Sequence, residues 1–213
     1  MKRKLFTGIL ALMAAFTMNT ASAQVEQGNF IIDPYYGYPN FSKGFLGQAG
    51  VESDLESTVD SDVTNAKLTG LGPCGIRLEY MLADQFGLGV DFIYNSVGVK
   101  GNYTVTDSLG NQTTYEASAN MQRFRVQLRF NYHFVQTEHF DAYAGVGAGS
   151  NTRLWKATST DPNFTNTSAP GQLLPVSLRL ALGARYYFIP NLGLNAEIGL
   201  GGPVLSGGIS VKI

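Results

Sequence analysis

The sequence predicts an all-β protein that folds as an eight-stranded antiparallel up-and-down transmembrane β-barrel. One segment alternates apolar and polar residues without interruption over the length of a membrane crossing, and seven other segments alternate in a similar way. The connections between the eight segments run long, short, long, short, long, short, short. Long loops on one side and short turns on the other are typical of bacterial outer-membrane barrels.

The clearest strand covers residues 121–134, MQRFRVQLRFNYHF. Every second residue from Phe124 to Phe134 is apolar, and the intervening residues are polar, including Arg125, Arg129 and His133. A period of two is that of a β-strand with one apolar and one polar face. A strand that crosses a bilayer at a tilt needs about 9–11 residues, so this segment is long enough to span one.

The other predicted strands are shorter or less regular. In chain order they cover residues 30–38, 72–82, 87–105, 140–149, 174–188, 194–200 and 205–213. A turn signal at residues 108–111, SLGN, with residues 113–115 pairing back, predicts a hairpin that projects beyond the membrane. Residues 39–71 and 156–172 lack alternation and are rich in polar, Gly or Pro residues, which predicts loops.

The volume of the barrel decides which face points outward. The apolar positions supply roughly thirty sizeable side chains, whereas the interior of an eight-stranded barrel is just wide enough to be filled by side chains. The polar positions are rich in glycine on the strands at 87–105, 140–149 and 194–200, which leaves room for long arginines. We therefore predict apolar side chains toward lipid and polar side chains in the lumen.

This arrangement predicts a charged network in the lumen. Its expected members are Arg77, Glu79, Asp91, Arg123, Arg125, Arg129, His133, Arg179, Arg185, Glu197 and Lys212, with Asp33 as a further acid. Buried charges are tolerable when they are paired and hydrogen-bonded, so the first interpretation is a structural salt-bridge core that closes the barrel. The alternative is a narrow porin-like channel for small solutes or anions, with a basic lining.

The first 23 residues are predicted to be a secretory signal peptide, and residues 24–213 the barrel domain. Lys2, Arg3 and Lys4 precede an apolar run, and Ala-Ser-Ala at 21–23 suits cleavage. Without the leader, 12 basic residues face 16 acidic ones, a net charge of about −4, which argues against a nucleic-acid partner. The single cysteine, Cys74, excludes an internal disulfide, and a packing role is expected for it.

The architecture resembles the small eight-stranded outer-membrane β-barrel family of OmpA-type and OmpX-type proteins, which belongs to the wider porin family. The resemblance rests on the signal peptide, the eight amphipathic strands, the alternating loop lengths and the C-terminal strand GGISVKI. Members often end in an aromatic residue, and Ile213 departs from that pattern. The resemblance implies the outer membrane of a Gram-negative bacterium, contact with outer-membrane lipid and lipopolysaccharide, and a structural or surface-interaction role, and we expect a monomer.

No enzymatic activity, cofactor or metal is expected. A barrel lipase or deacylase would need a serine and an acid beside its histidine near the outer leaflet, whereas His133 and His139 fall near short turns at the opposite end. The acidic residues of the first loop, from Glu52 to Asp62, lack the order of a calcium loop, and a solvated loop is the favoured interpretation. A surface partner, if there is one, is expected to bind loops 40–71 and 101–114.

Overall fold

A computed structural model describes residues 25–39, 55–56, 59, 62–170 and 175–213 of the chain. The predicted signal peptide at residues 1–23 lies outside the described residues, as do parts of the two predicted loops. Within the described ranges, no helix has the length and apolar character that a bilayer crossing requires.

Ten strands form one antiparallel sheet. They are β1 (Phe30–Tyr38), β2 (Thr64–Thr69), β3 (Cys74–Ala83), β4 (Phe86–Thr106), β5 (Gln112–Gln136), β6 (Phe140–Ser159), β7 (Thr167–Pro170), β8 (Val176–Ile189), β9 (Leu192–Leu200) and β10 (Leu205–Lys212). All of them except β2 and β7 follow one another around a ring, which closes where β1 pairs with β10. The closed eight-stranded barrel confirms the predicted fold class.

Side chains alternate between the two faces of the barrel. On β5, Leu128 is 59% exposed while its neighbour Gln127 is fully buried. On β8, Leu180 is 60% exposed and Arg179 is 2% exposed. The apolar residues therefore face outward and the arginines inward, as the volume argument predicts.

Two regions predicted as loops contain short strands. β2 lies within residues 39–71 and pairs with residues 98–102 of β4. β7 lies within residues 156–172 and pairs with β6. β6 itself continues to Ser159 instead of ending near residue 149. The prediction of unbroken loops was wrong here because β2 and β7 lack apolar alternation, and they form by pairing with the extended edges of longer strands.

Apolar clusters occupy both ends of the described interior. At the end with the short turns, Val25 packs with Ile31, Met81 and Tyr187, and the Val25 carbonyl accepts a hydrogen bond from Gln136 Nε2 at 3.1 Å. At the opposite end, which we call the outer end, a second cluster lies inside the long β4–β5 extension. Its buried members are Leu55, Val63, Val99, Tyr103, Ala117 and Ala119.

Candidate functional site: the charged interior of the barrel

The inward positions of seven strands carry the charged side chains of the interior. Each of these side chains belongs to a residue that keeps at most 6% of its surface exposed. They are Asp33 on β1, Arg77 and Glu79 on β3, Asp91 on β4, Arg125, Arg129 and His133 on β5, Asp141 on β6, Arg179 and Arg185 on β8, and Glu197 on β9. Strict alternation places them inside, since a shift of one residue would turn each of them toward lipid.

The Glu197 cluster comprises Glu197, Arg77, Arg129, Arg179 and Asp91. Arg77 Nη1 lies 2.6 Å from Glu197 Oε2, and Arg129 Nη2 donates to the same oxygen at 2.8 Å. Arg179 donates to Glu197 Oε1 from Nε at 3.0 Å and also from Nη2. One carboxylate thus binds three guanidinium groups, which come from three different strands.

Two tyrosines and a second acid complete the hydrogen bonds of the Glu197 cluster. Asp91 Oδ2 lies 3.2 Å from Arg129 Nη1, and Asp91 Oδ1 accepts from the Tyr35 hydroxyl at 2.7 Å. The Tyr143 hydroxyl donates to Glu197 at 3.0 Å and accepts from Arg77 Nη1 at 3.0 Å. The cluster therefore holds three cations and two anions, with tyrosine hydroxyls on the remaining lone pairs.

The Arg185 cluster lies closer to the short turns and has the opposite balance. It comprises Arg185, Asp33, Glu79, Asp141 and His133. Arg185 donates to Asp33 Oδ2 at 2.9 Å, to Glu79 Oε2 at 2.5 Å and to Asp141 Oδ2 at 2.9 Å. A single guanidinium therefore bridges three carboxylates.

His133 supplies the second cation of the Arg185 cluster. Its Nδ1 lies 2.7 Å from Asp141 Oδ1, and its Nε2 lies 3.1 Å from Glu79 Oε1. Two ionised carboxylates can accept from both ring nitrogens only when both nitrogens carry a proton, so this geometry suits the imidazolium. With that charge, four arginines and one histidine in the two clusters face five carboxylates.

Glycines make room for the long side chains, as the sequence indicates. A Cβ atom at Gly145 would lie 2.7 Å from Arg129 Nη2, and one at Gly147 would lie 3.2 Å from Arg129 Cγ. A Cβ atom at Gly183 would collide with the ring of Tyr143. The glycine-rich inner face therefore fits around the two charge clusters.

Three of the residues expected in the network lie outside both clusters. Arg123 donates from Nε to Asn151 Oδ1 at 2.7 Å, and Arg125 donates to the Gly201 carbonyl at 2.8 Å, both toward the outer end. Lys212 lies at the other end, with Nζ 5.9 Å from the centre of the Tyr187 ring.

Sequence reasoning missed Asp141 as a member of the network and the two tyrosines as hydrogen-bond donors. Asp141 shares the inward parity of Tyr143 and Gly145, so the alternation of its strand carried the signal. Tyr35 shares the parity of Asp33, but Pro34 interrupts the pattern there. A complete list of the inward positions would have found all three residues.

The other residues considered for catalysis or metal binding are His139 and the acidic residues of the first loop, and His139 and Glu56 make structural hydrogen bonds. His139, in a short turn, accepts a hydrogen bond from the Tyr187 N–H at its carbonyl oxygen, at 2.7 Å. Of the acidic run, Glu52, Asp54 and Asp60 lie outside the described residues, and Glu56 Oε1 accepts from the Val63 N–H at 3.5 Å. Among the described residues, no group of three or more His, Cys, Asp or Glu side chains is placed to hold a metal ion.

Comparison with known proteins supports the same architecture. The family model described as "Outer membrane protein beta-barrel domain" matches residues 8–202. The chain has no significant match among curated protein sequences.

Solved structures of small outer-membrane barrels are similar to the chain at low identity. The N-terminal β-barrel domain of Pseudomonas aeruginosa OprF has 12% identity and a TM-score of 0.43, and the match covers 88% of this chain and 99% of that one. Ail, the attachment invasion locus protein of Yersinia pestis, solved with the heparin analogue sucrose octasulfate, has 13% identity over the same shares and a TM-score of 0.42. P. aeruginosa OprG has 16% identity and a TM-score of 0.41 over 90% of this chain and 99% of its own. Similarity at this level assigns no function.

Proposed function

Because this chain belongs to the outer membrane protein beta-barrel domain family, we propose that it is an integral outer-membrane barrel whose charged interior closes the lumen and whose outer extension binds a surface partner. The observation that supports closure is the environment of Glu197, where three guanidinium groups and a tyrosine hydroxyl surround one carboxylate. These donors are occupied by the Glu197 carboxylate and lie across the lumen, which leaves little space for a passing solute.

Side chains fill successive levels of the barrel along its axis. Val25 and its apolar neighbours lie at the short-turn end, followed by the Arg185 cluster and then the Glu197 cluster. Farther out, the turn between β9 and β10 lies against the arginines, with Gly201 accepting from Arg125 and Pro203 accepting from Arg179 at 3.4 Å. An eight-stranded barrel has room for side chains and little else, so each level supports a closed lumen.

Conductance in planar bilayers tests the closed lumen. The folded protein, verified by its faster migration on a gel before boiling, should produce no reproducible current steps after insertion. The narrow-channel alternative predicts steps with a preference for anions, and these should change when Arg129→Gln alters the lining. Reproducible steps from the wild-type protein would overturn closure.

The proposed surface-interaction role rests on the length of the β4–β5 hairpin. β4 has 21 residues and β5 has 25, and they pair without a register shift from Phe86↔Tyr132 to Thr106↔Gln112. A membrane crossing needs about 9–11 residues, so roughly half of the hairpin extends past the bilayer. Such a rigid extension can present its tip to another surface.

The tip of the hairpin offers strand edges to a partner. β2 covers β4 as far as Asn102, and β6 covers β5 as far as Ala117. Within the described chain, residues 103–106 and 112–115 have no further strand beside them. Exposed backbone N–H and C=O groups at such edges can bind an extended segment of another protein by strand addition.

A deletion that spares the apolar cluster tests the role of the tip. Replacing residues 104–114 by an Asn-Gly turn keeps Tyr103, which packs in the outer cluster, and closes the hairpin on the hydrogen-bonded Tyr103–Tyr115 pair. The variant should fold and insert normally. Cells that carry it should no longer bind to host or bacterial surfaces. Unchanged adhesion by correctly folded variant protein would contradict the role.

A further inference from the structure

Two arginines face each other at the outer end of the lumen. Arg123 on β5 and Arg153 on β6 are direct register partners, and both point inward. Side chains of direct partners start from Cβ atoms about 4.5–5.5 Å apart, and like charges in such pairs are destabilising. Arg125, two residues from Arg123 on the same face of β5, adds a third positive charge.

The described chain places no carboxylate within ion-pair distance of these three residues. Each of the four arginines in the Glu197 and Arg185 clusters binds a carboxylate at 3.2 Å or less. In contrast, no described carboxylate lies within 4.0 Å of Arg123, Arg125 or Arg153. Among the described residues, the buried Nε atoms of Arg125 and Arg153 have no hydrogen-bond acceptor, as is also true of Arg77 and Arg129. Arg153 differs from those two because it makes no hydrogen bond to any described residue. Positive charge that is partly buried without an anion is costly, so the site is electrostatically incomplete.

The pair lies near the outer end of the lumen and is not fully enclosed. The last pair between β6 and β8 is Ser150↔Val176, so Arg153 lies three residues beyond the point where β8 begins. Arg123 and Arg153 are half-buried, in contrast to the fully enclosed Arg129. Part of each of these two side chains therefore remains exposed.

From this geometry we infer that Arg123, Arg153 and Arg125 form a binding site for a tetrahedral oxyanion, a phosphate or sulfate group. The planar guanidinium donates two parallel hydrogen bonds to such oxyanions, and two facing guanidinium groups can hold one anion between them. The site goes beyond the proposed function, and it does not depend on whether the lumen is closed.

Thermal unfolding of the full folded chain in a non-ionic detergent tests the site, with inorganic phosphate or sulfate compared with chloride at equal ionic strength. An anion at a hundred times its Kd should raise the unfolding temperature by about 5 °C or more. Arg153→Gln and Arg123→Gln should each reduce the shift strongly, and the double variant should abolish it. Arg153→Lys, which keeps the charge without the fork, should retain a smaller shift.

Lys156→Gln is the matched control, because Lys156 is on the same strand, is exposed and carries the same charge. It should leave the phosphate-dependent shift unchanged. In chloride alone, Arg153→Gln should be as stable as the wild type or more stable, since it relieves repulsion with Arg123. Destabilisation of Arg153→Gln in chloride, with no effect of the anion on the wild type, would mean that another part of the chain neutralises the pair and would overturn the inference.

A second arm separates the sources of the phosphate group. The protein is placed in vesicles that contain lipopolysaccharide, without free phosphate. If inorganic phosphate raises the unfolding temperature in detergent, the site binds a free oxyanion. If only lipopolysaccharide raises it, relative to vesicles without lipopolysaccharide, and Arg123→Gln removes this effect, the site binds a lipid headgroup. A lack of stabilisation in both arms, or a shift that persists in the double variant, would overturn the inference.

Discussion

Asp141 and Arg185 are direct partners on adjacent strands, and their side chains meet inside the barrel, with Arg185 Nη1 2.9 Å from Asp141 Oδ2. The other two donor positions of the same guanidinium bind Asp33 and Glu79, which project from β1 and β3. Arg185 therefore links carboxylates from three strands that are distant in sequence. Its neighbour His133 binds two of the same acids, so the five groups form one unit.

Removal of Arg185 should be the most damaging single change in the interior. Arg185→Met keeps much of the volume but leaves three buried carboxylates with only His133 as a cation, and breaking a buried ion pair in this way costs about 3–5 kcal/mol. Urea unfolding in detergent micelles, followed by tryptophan fluorescence or gel mobility, measures the change. Lys100→Met is the control, because the Lys100–Glu116 pair is more than half exposed and such pairs contribute less than about 1 kcal/mol. Equal stability of the two variants would show that the Arg185 cluster is not a structural core.

Gly183→Ala should destabilise the barrel by overpacking. The added Cβ would collide with the ring of Tyr143, which is fully buried and is held by hydrogen bonds to Arg77 and Glu197. Overpacking of this kind costs about 1–3 kcal/mol. Gly207→Ala is the matched control, since the added atom there would meet only the Asn195 carbonyl at 3.6 Å, an ordinary contact. A Gly183→Ala protein as stable as Gly207→Ala would mean that Tyr143 moves freely.

The sequence predicted the barrel and the direction of its faces because both follow from period-two alternation, which is a local property. It predicted that Arg129 and Glu197 lie inside, but their pairing depends on the strand order and register of a closed ring. It did not predict β2 or β7, since TNAKLT and TSAP become strands through the edges of β4 and β6 and not through a pattern of their own. The sequence also did not predict that Arg123 and Arg153 lie opposite each other. That contact depends on the β5–β6 register and on the extension of β6 past residue 149.

Charge on the outward face should be costly in the membrane and harmless outside it. Leu128 lies outward near the middle of the crossing segment of β5, and an arginine near the bilayer midplane of a barrel costs about 2–4 kcal/mol. Leu128→Arg should lower the unfolding free energy in lipid vesicles by that amount. Leu109→Arg, at the tip of the β4–β5 hairpin where Leu109 is 85% exposed, should change it by less than about 0.5 kcal/mol. Similar values for both would place residue 128 outside the hydrocarbon.

Protonation of Asp107 should loosen the tip of the β4–β5 hairpin without affecting the barrel. The Asn111 side chain, together with the backbone N–H groups of Asn111 and Leu109, donates hydrogen bonds to Asp107 and holds the pKa of its carboxyl below the ordinary value. Since the folded pKa lies below the unfolded one, the ionised carboxylate stabilises the turn at pH values above the unfolded pKa of about 3.9, and this stabilisation is lost as the pH falls through the folded pKa. An NMR titration of the Asp107 side chain should give a midpoint below that of a peptide of residues 105–113. Asn111→Ala should move the midpoint up toward the peptide value, whereas Thr104→Ala, farther down the hairpin, should not. A midpoint equal to that of the peptide in the wild-type protein would contradict the hydrogen-bonded turn.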